Sequence, residues 1–233
     1  MNCVQGVLPE GATLIPILLA SDETHLNNLS GDEKLCPVYI SIGNIRSAIR
    51  TTPAMQPWIP IAFLLIRPKP VNRIPGYSVE SQEIQALQTV HDVLAHLLKP
   101  LSDAKYETGY EMVCADENVR LCFPKLFCWL ANHVENATIN CMSSNRCPVC
   151  TIPTEKLVED VVTSYPIGSH EGYARAYRQS DAAGLNAYSI KNINNALWSI
   201  AGLNPPDSVW VDILHNILLR MLDHLMSLIQ GFL

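Results

Sequence analysis

The chain has 233 residues, 48% of them hydrophobic and 16% charged, with 16 basic and 22 acidic side chains giving a formal charge of −6. That is the balance of a globular chain long enough to bury a real core, and it excludes a disordered tail, a low-complexity linker and a nucleic-acid module basic over its whole surface. The longest apolar run, Leu14 to Ala20, falls short of the roughly 20 residues that span a bilayer, and residues 1–11 hold no Lys or Arg for a secretory signal, so an intracellular protein with no membrane partner is expected.

In chain order, residues 12–20 are rich in Leu and Ile and stop at Ser21-Asp22, which predicts a buried strand delivering Asp22 at its C-terminal end. Pro37-Val-Tyr-Ile-Ser-Ile-Gly43 alternates as a second strand does, and residues 58–66 read as a third, closed by Arg67-Pro-Lys-Pro70. Prolines at 53, 57, 60, 68, 70 and 75 exclude long helices from this part of the chain. From Ser81 the period changes: Ile84, Leu87, Val90, Leu94, Leu97 and Leu98 recur at helical spacing until Pro100. Glu111 to Asp116 reads as a short strand ending in a carboxylate, residues 121–131 as a short helix interrupted by Pro124, and residues 137–141 as another strand. The tail from Ser208 reads as a long amphipathic helix with Trp210, Ile213, Ile217, Met221 and Leu225 on one stripe, a surface that would self-associate if left uncovered. The expected organisation is a mixed α/β core over 1–140, a Cys-rich and helical insertion over 141–207, and the C-terminal helix over 208–233.

Three groups of residues carry candidate chemistry. Asp22 and Asp116, each expected to end a strand, would bring two carboxylates to one sheet edge, the arrangement that two-metal phosphoryl transfer requires. Between Lys34 and Val79 the chain has no Asp or Glu but carries Arg46, Arg50, Arg67, Lys69 and Arg73, a local positive balance suited to phosphate. Cys147-Pro-Val-Cys150 has the spacing at which two thiolates reach one Zn²⁺ across a tight turn. Cys141 is the nearest third ligand and His170 the chosen fourth, with Cys122 and Cys128 as rivals. No nucleophile elbow, phosphate-cradling Gly loop or Ser-His-Asp constellation is present.

Three strands, a helix, then a strand ending in Asp is the opening order of an RNase H-like domain. Several strings add to this: residues 11–26 through Ser21-Asp22-Glu23-Thr24-His25, Cys36-Pro-Val-Tyr-Ile-Ser-Ile-Gly-Asn-Ile45 with Arg50, Glu111-Met-Val-Cys-Ala-Asp116, and Cys141 with Cys147-Pro-Val-Cys150. Together they resemble the Plavaka transposases of the Kyakuja–Dileera–Zisupton (KDZ) group, which are mostly fungal. The resemblance runs from about Gln5 to the C-terminus. It implies an RNase H-like DDE core that binds Mg²⁺ or Mn²⁺, cuts and joins DNA, and works in the nucleus. The chain departs from the pattern at three places. Ala115-Asp116-Glu117 stands where the family usually has Ala-Asp-Gly, Ala131-Asn132-His133-Val134-Glu135 where it has an Ala-Asp-Tyr-Pro-Glu-like string, and Met226-Ser227 where a His and a Gln are usual. A third acid would have to be Asp212, Asp223 or a residue beyond Leu233. The expectation is therefore a truncated, inactive transposase remnant, held together by structural zinc, whose DNA binding is weak and non-specific.

Overall fold

The computed structural model describes residues 8–25, 34–64, 76–103, 108–143, 147, 150, 152, 156, 170–179, 182–200, 202–211 and 226. Along the chain these form β1 (Thr13–Ser21), β2 (Thr24–His25), β3 (Lys34–Ile42), α1 (Ser47–Arg50), β4 (Ile59–Leu64), α2 (Val79–Leu97), β5 (Tyr110–Val113), β6 (Val119–Ala131), α3 (His133–Ile139), α4 (His170–Arg178), α5 (Ala182–Tyr188), α6 (Pro205–Ser208) and β7 (Val209–Val211). Short 3₁₀ turns lie at Pro53–Met55, Lys99–Leu101 and Ala196–Ser199. Among the described residues no helix is long and apolar enough to cross a membrane.

The strands make one mixed sheet whose central order is β4–β3–β1–β6–β7. The first two neighbour pairs are antiparallel and the last two parallel. β1 lies opposite β3 with Ser21 facing Val38, and the same register resumes in β2, with Thr24 facing Leu35. β2 is thus β1 continued after a two-residue break at Asp22-Glu23. The break falls opposite Cys36-Pro37, and Pro37 has no N–H to give a ladder. β5 pairs antiparallel with the start of β6.

β6 corrects the helix expected over 121–131. The segment is a strand because it is paired on both sides and buried along much of its length: Cys122, Phe123, Leu126, Cys128, Trp129 and Ala131 are all buried. That two-sided burial erases the period-2 signal a half-exposed strand shows. Pro124 is tolerated because it lies between the stretch that β5 covers, ending at Cys122, and the stretch that β7 covers, starting at Trp129. The strand expected over 137–141 is the end of α3 and its cap. Asn132 Oδ1 accepts the Glu135 N–H at 3.0 Å to start this helix. A Schellman closure ends it, with Cys141 N–H donating to Thr138 O at 3.0 Å and Met142 N–H to Ala137 O at 2.8 Å. Cys141 occupies the left-handed position of that closure, φ +58°, where glycine is usual. The helix expected from Ser208 is likewise corrected at its start, since Val209–Val211 is a strand. Of the proposed stripe, Trp210 lies in β7, half-exposed, its ring edge-on to Phe127 with centroids 5.5 Å apart. Ile213, Ile217, Met221 and Leu225 lie outside the described residues.

α2 begins at Ser78, whose Oγ accepts the Ser81 N–H at 3.0 Å, and it covers one face of the sheet. Val90 and Leu94 pack with Leu19, Val38, Trp129 and Ile139 in the main core. Leu87, one turn earlier, belongs to a second cluster with Tyr173 and Leu185 from the later helices and Ile193 from the loop that follows them. Ala196, Leu197, Ile200 and Val209 pack into the main core, so packing runs across the boundaries expected at 140 and 207. His91, fully buried between the clusters, accepts the Ala196 N–H on Nδ1 at 3.3 Å. That leaves the ring proton on Nε2, which lies 3.0 Å from both Thr138 O and Cys141 Sγ.

Trp129 is fully buried and donates its indole N–H to Ser21 Oγ at 3.0 Å. Trp129→Phe keeps most of the apolar surface but leaves a gap and a lost buried hydrogen bond. The expected loss is about 2 kcal/mol, read as a lower urea midpoint at unchanged m-value.

Candidate functional site

The parallel register of β1 and β6 decides what meets at the C-terminal edge of the sheet. Leu19 lies level with Trp129 and Ala20 with Leu130, so two steps further on Asp22 stands level with Asn132. Ser21 is buried and Asp22 exposed. α3 starts at once after β6, and its first turn swings Glu135 over the edge. The Glu135 carboxylate accepts the Ser21 hydroxyl at 3.2 Å and the Cys36 thiol at 3.5 Å. The result is a relay from the core to the edge: Trp129 N–H to Ser21 Oγ, and Ser21 O–H to Glu135.

Electrostatically this edge is acidic and partly dry. Burial pushes the Glu135 carboxyl above the usual range, its hydrogen bonds with Cys36 and Ser21 oppose that, and the Asp22 charge adds to it. Burial, followed by the Glu135 charge, raises the Cys36 thiol, which stays protonated as a donor. Glu23 is paired with Lys34 at 2.5 Å. The edge therefore gathers two mutually repelling carboxylates, Asp22 and Glu135, around an amide, Asn132, that is occupied as a helix cap. Among the described residues no three His, Cys, Asp or Glu side chains converge as a metal cluster would require.

Asp116 is not at this edge. It sits in the turn joining β5 to β6, beyond the end where Thr13 lies level with Cys122, so the length of β1, about 30 Å, separates it from Asp22. The expectation that Asp22 and Asp116 end adjacent parallel strands is thereby corrected, since the strand parallel to β1 is β6 and not residues 111–116. Asp116 is fully engaged where it lies. Arg120 grips it through both Nη atoms at 2.6 Å, and Asn118 donates from Nδ2 at 3.0 Å. The Arg120 bonds lead in holding its carboxyl well below the ordinary range. Glu117 next to it has φ +63°, the left-handed turn position that a Gly fills without strain. An Ala-Asp-Gly string at this place is hairpin chemistry. Sequence reasoning missed Glu135 as an edge residue, although Asn132-His-Val-Glu135 has the spacing of a capping box and so announces a helix start.

The cysteines divide. Cys141 is buried, its Sγ against His91 Nε2, and burial raises its pKa. It is turned into the core and does not join the CxxC pair. Cys147 and Cys150 do meet: the Cys150 N–H donates to Cys147 Sγ at 3.4 Å, and both lie near the Tyr173 hydroxyl, whose pKa is pushed up to about 12, mainly by burial. His170 begins α4, and its side chain lies outside the described residues. Cys122 and Cys128, the rival ligands, are buried in β6. Of the basic residues, Arg46 is exposed, whereas Arg50 donates to the carbonyls of Gly43 and Ile45 and staples the turn after β3. Arg67, Lys69 and Arg73 lie outside the described residues, as do Asp212 and Asp223.

A mixed sheet flanked by helices, with an acidic edge where two parallel strands end, defines an α/β protein. A family model described as Plavaka transposase matches residues 2–229, nearly the whole chain, and the chain belongs to that family. The search of curated proteins returns no match.

The raised carboxyl of Glu135 makes a signed prediction. A folded-state pKa above the unfolded one means that the native state holds the proton longer, so this group's contribution weakens the fold as pH rises from the unfolded carboxylate range through the folded pKa. Glu135→Gln keeps an acceptor for Ser21 and Cys36 but carries no charge. Urea titrations are expected to show the variant gaining stability over the parent as pH is raised from 4 to 8, with the two converging in acid.

Proposed function

We propose that the chain is a transposase-derived domain with an RNase H-like core whose two-metal DDE site is incomplete, so that it binds DNA without cutting or joining it. The observation that carries this reading is the sheet order β4–β3–β1–β6–β7 with β1 and β6 parallel. In such a core the acids sit at the ends of two adjacent parallel strands, here β1 and β6, which run out at Asp22 and Asn132. The pair Mg²⁺ or Mn²⁺ would need carboxylates at both places to bridge two ions. The residues present do not fit: Asn132 offers an amide, and its oxygen is held by the Glu135 N–H. Glu135 faces Ser21 and Cys36 and is not a substitute for that bridging carboxylate. DNA contact then rests on the basic stretch that includes exposed Arg46, and it is weak, steeply salt-dependent and sequence-blind.

An Asn→Asp change at a cap preserves the cap, because either side chain accepts the N3 N–H. Asn132→Asp is therefore expected to fold as the parent does and to gain a Mg²⁺- or Mn²⁺-dependent rise in melting temperature that the parent lacks. Plasmid nicking by the parent that disappears in Asp22→Asn would overturn the inactive reading.

The same proposal assigns structural zinc to Cys147 and Cys150. The support is the Cys150 N–H directed at Cys147 Sγ, a contact that favours a thiolate in a metal-binding turn. His170 remains the candidate for a further ligand. Purified protein is expected to hold about one equivalent of zinc, to lose it in Cys147→Ser, and to keep it in Cys141→Ser, which instead weakens the core. Zinc-free parent protein would refute the assignment.

A further inference from the structure

A cleft of about 310 Å³ opens between α2, α4 and the 3₁₀ turn at Ala196–Ser199, lined among others by His91, Asp92, Tyr177, Arg178, Asn194 and Trp198. Its floor is rigid. Asn195 caps the turn through Oδ1 to the Leu197 N–H at 2.8 Å and ties it to α3 through Nδ2 to Ile139 O at 2.9 Å. Gln88 on α2 accepts the Asn194 N–H at 2.9 Å and donates to Asp92 at 2.8 Å, fixing one lip. The wall is aromatic, with the rings of Tyr177 and Trp198 tilted at 55° and centroids 5.5 Å apart. Trp198 Nε1 is sealed from water, so the indole meets the cleft with its ring carbons and not with its N–H. On the other lip exposed Arg178 donates from Nε to Ala174 O at 3.2 Å, beside Arg175 in the same last turn of α4.

We infer that this cleft binds one unpaired nucleotide, its base against Trp198 and Tyr177 and its phosphate at Arg178. An aromatic wall offers a stacking surface to any base. A guanidinium on the rim matches a phosphate. The volume is at the small end of ligand pockets, enough for one base and too little for a stretch of strand. Asp92, held by Gln88, stands on the lip opposite Arg178 and disfavours phosphate there, which sets the polarity of the bound nucleotide. The choice of a nucleotide over another planar ligand rests on the transposase reading, since an unpaired base is what a DNA-handling protein meets at a strand end or a distorted duplex.

The test uses the full chain and two kinds of probe. In the first, dAMP and deoxyribose 5-phosphate are titrated while the indole N–H resonance of Trp198, assigned with Trp198→Phe, is followed. Saturable dAMP binding that moves this resonance, at least ten-fold tighter than the base-free phosphate, is expected, with Arg178→Gln weakening dAMP several-fold without altering the melting temperature. Equal affinity for the two probes, or dAMP binding that leaves the resonance unmoved, overturns the cleft. In the second, a duplex with one unpaired adenine is compared with the same duplex abasic at that position, and a preference of about ten-fold is expected. Binding of dAMP with no duplex binding would sustain the cleft and sink the DNA reading. Duplex binding indifferent to the unpaired base, with no dAMP binding, would do the reverse.

Discussion

The parallel pairing of β1 with β6 governs the molecule because each strand is apolar on both faces and neither has another place to bury them. Its register aligns Leu19 with Trp129 and so seats the largest core side chain beneath Ser21. A slip of one residue would turn Trp129 out of the core. Once the register is set, β6 ends level with Ser21, the chain turns over the edge, and Asn132, level with Asp22, caps α3 there. The position of Glu135 follows from that turn. Core packing and the composition of the edge are thus a single constraint, joined physically by the bonds from Trp129 to Ser21 and from Ser21 to Glu135.

Because of this coupling, the edge can differ in charge without any change in the fold beneath it. Asparagine and aspartate are nearly isosteric and both cap helices, so the amide at position 132 starts α3 as a carboxylate would and differs from it only in charge. The two carboxylates at the edge, Asp22 and Glu135, are poorly matched to each other: one is exposed, the other half-buried and repelled by its neighbour. Asp116 is the converse case. Its charge is retained and tightly satisfied by Arg120, in a hairpin turn where it stabilises local structure far from the edge.

α2 is the second organising element. It contributes to both apolar clusters, and between them it places His91, whose two ring nitrogens bind backbone and thiol groups from the segments on either side. A buried imidazole satisfied on both nitrogens joins segments that apolar contact alone would leave free to slide. The same staple holds Cys141 in its left-handed position and fixes the 3₁₀ turn that forms the floor of the cleft.

Local pattern was enough for β1, β3 and β4, for α2 and for the position of Asp22 at a strand end, because alternation, prolines, helical period and a Ser cap act over a few residues. The family resemblance was legible in the same way, in short strings. What local pattern misread were β6, where burial on both faces and Pro124 hid the strand; α3, whose Thr138 and Ile139 read as β-formers although Asn132 and Glu135 mark a helix start; and Asp116, whose turn is betrayed by the positive φ of Glu117. Only the tertiary structure decided that Asp22 meets Asn132 and Glu135 and not Asp116, and that Cys141 belongs to His91 and not to Cys147. Each of those meetings joins residues 50 or more apart, or separates neighbours in the chain. They depend on which strand completes the sheet beside β1, a choice made by the burial of whole strands and recorded in no single window of sequence.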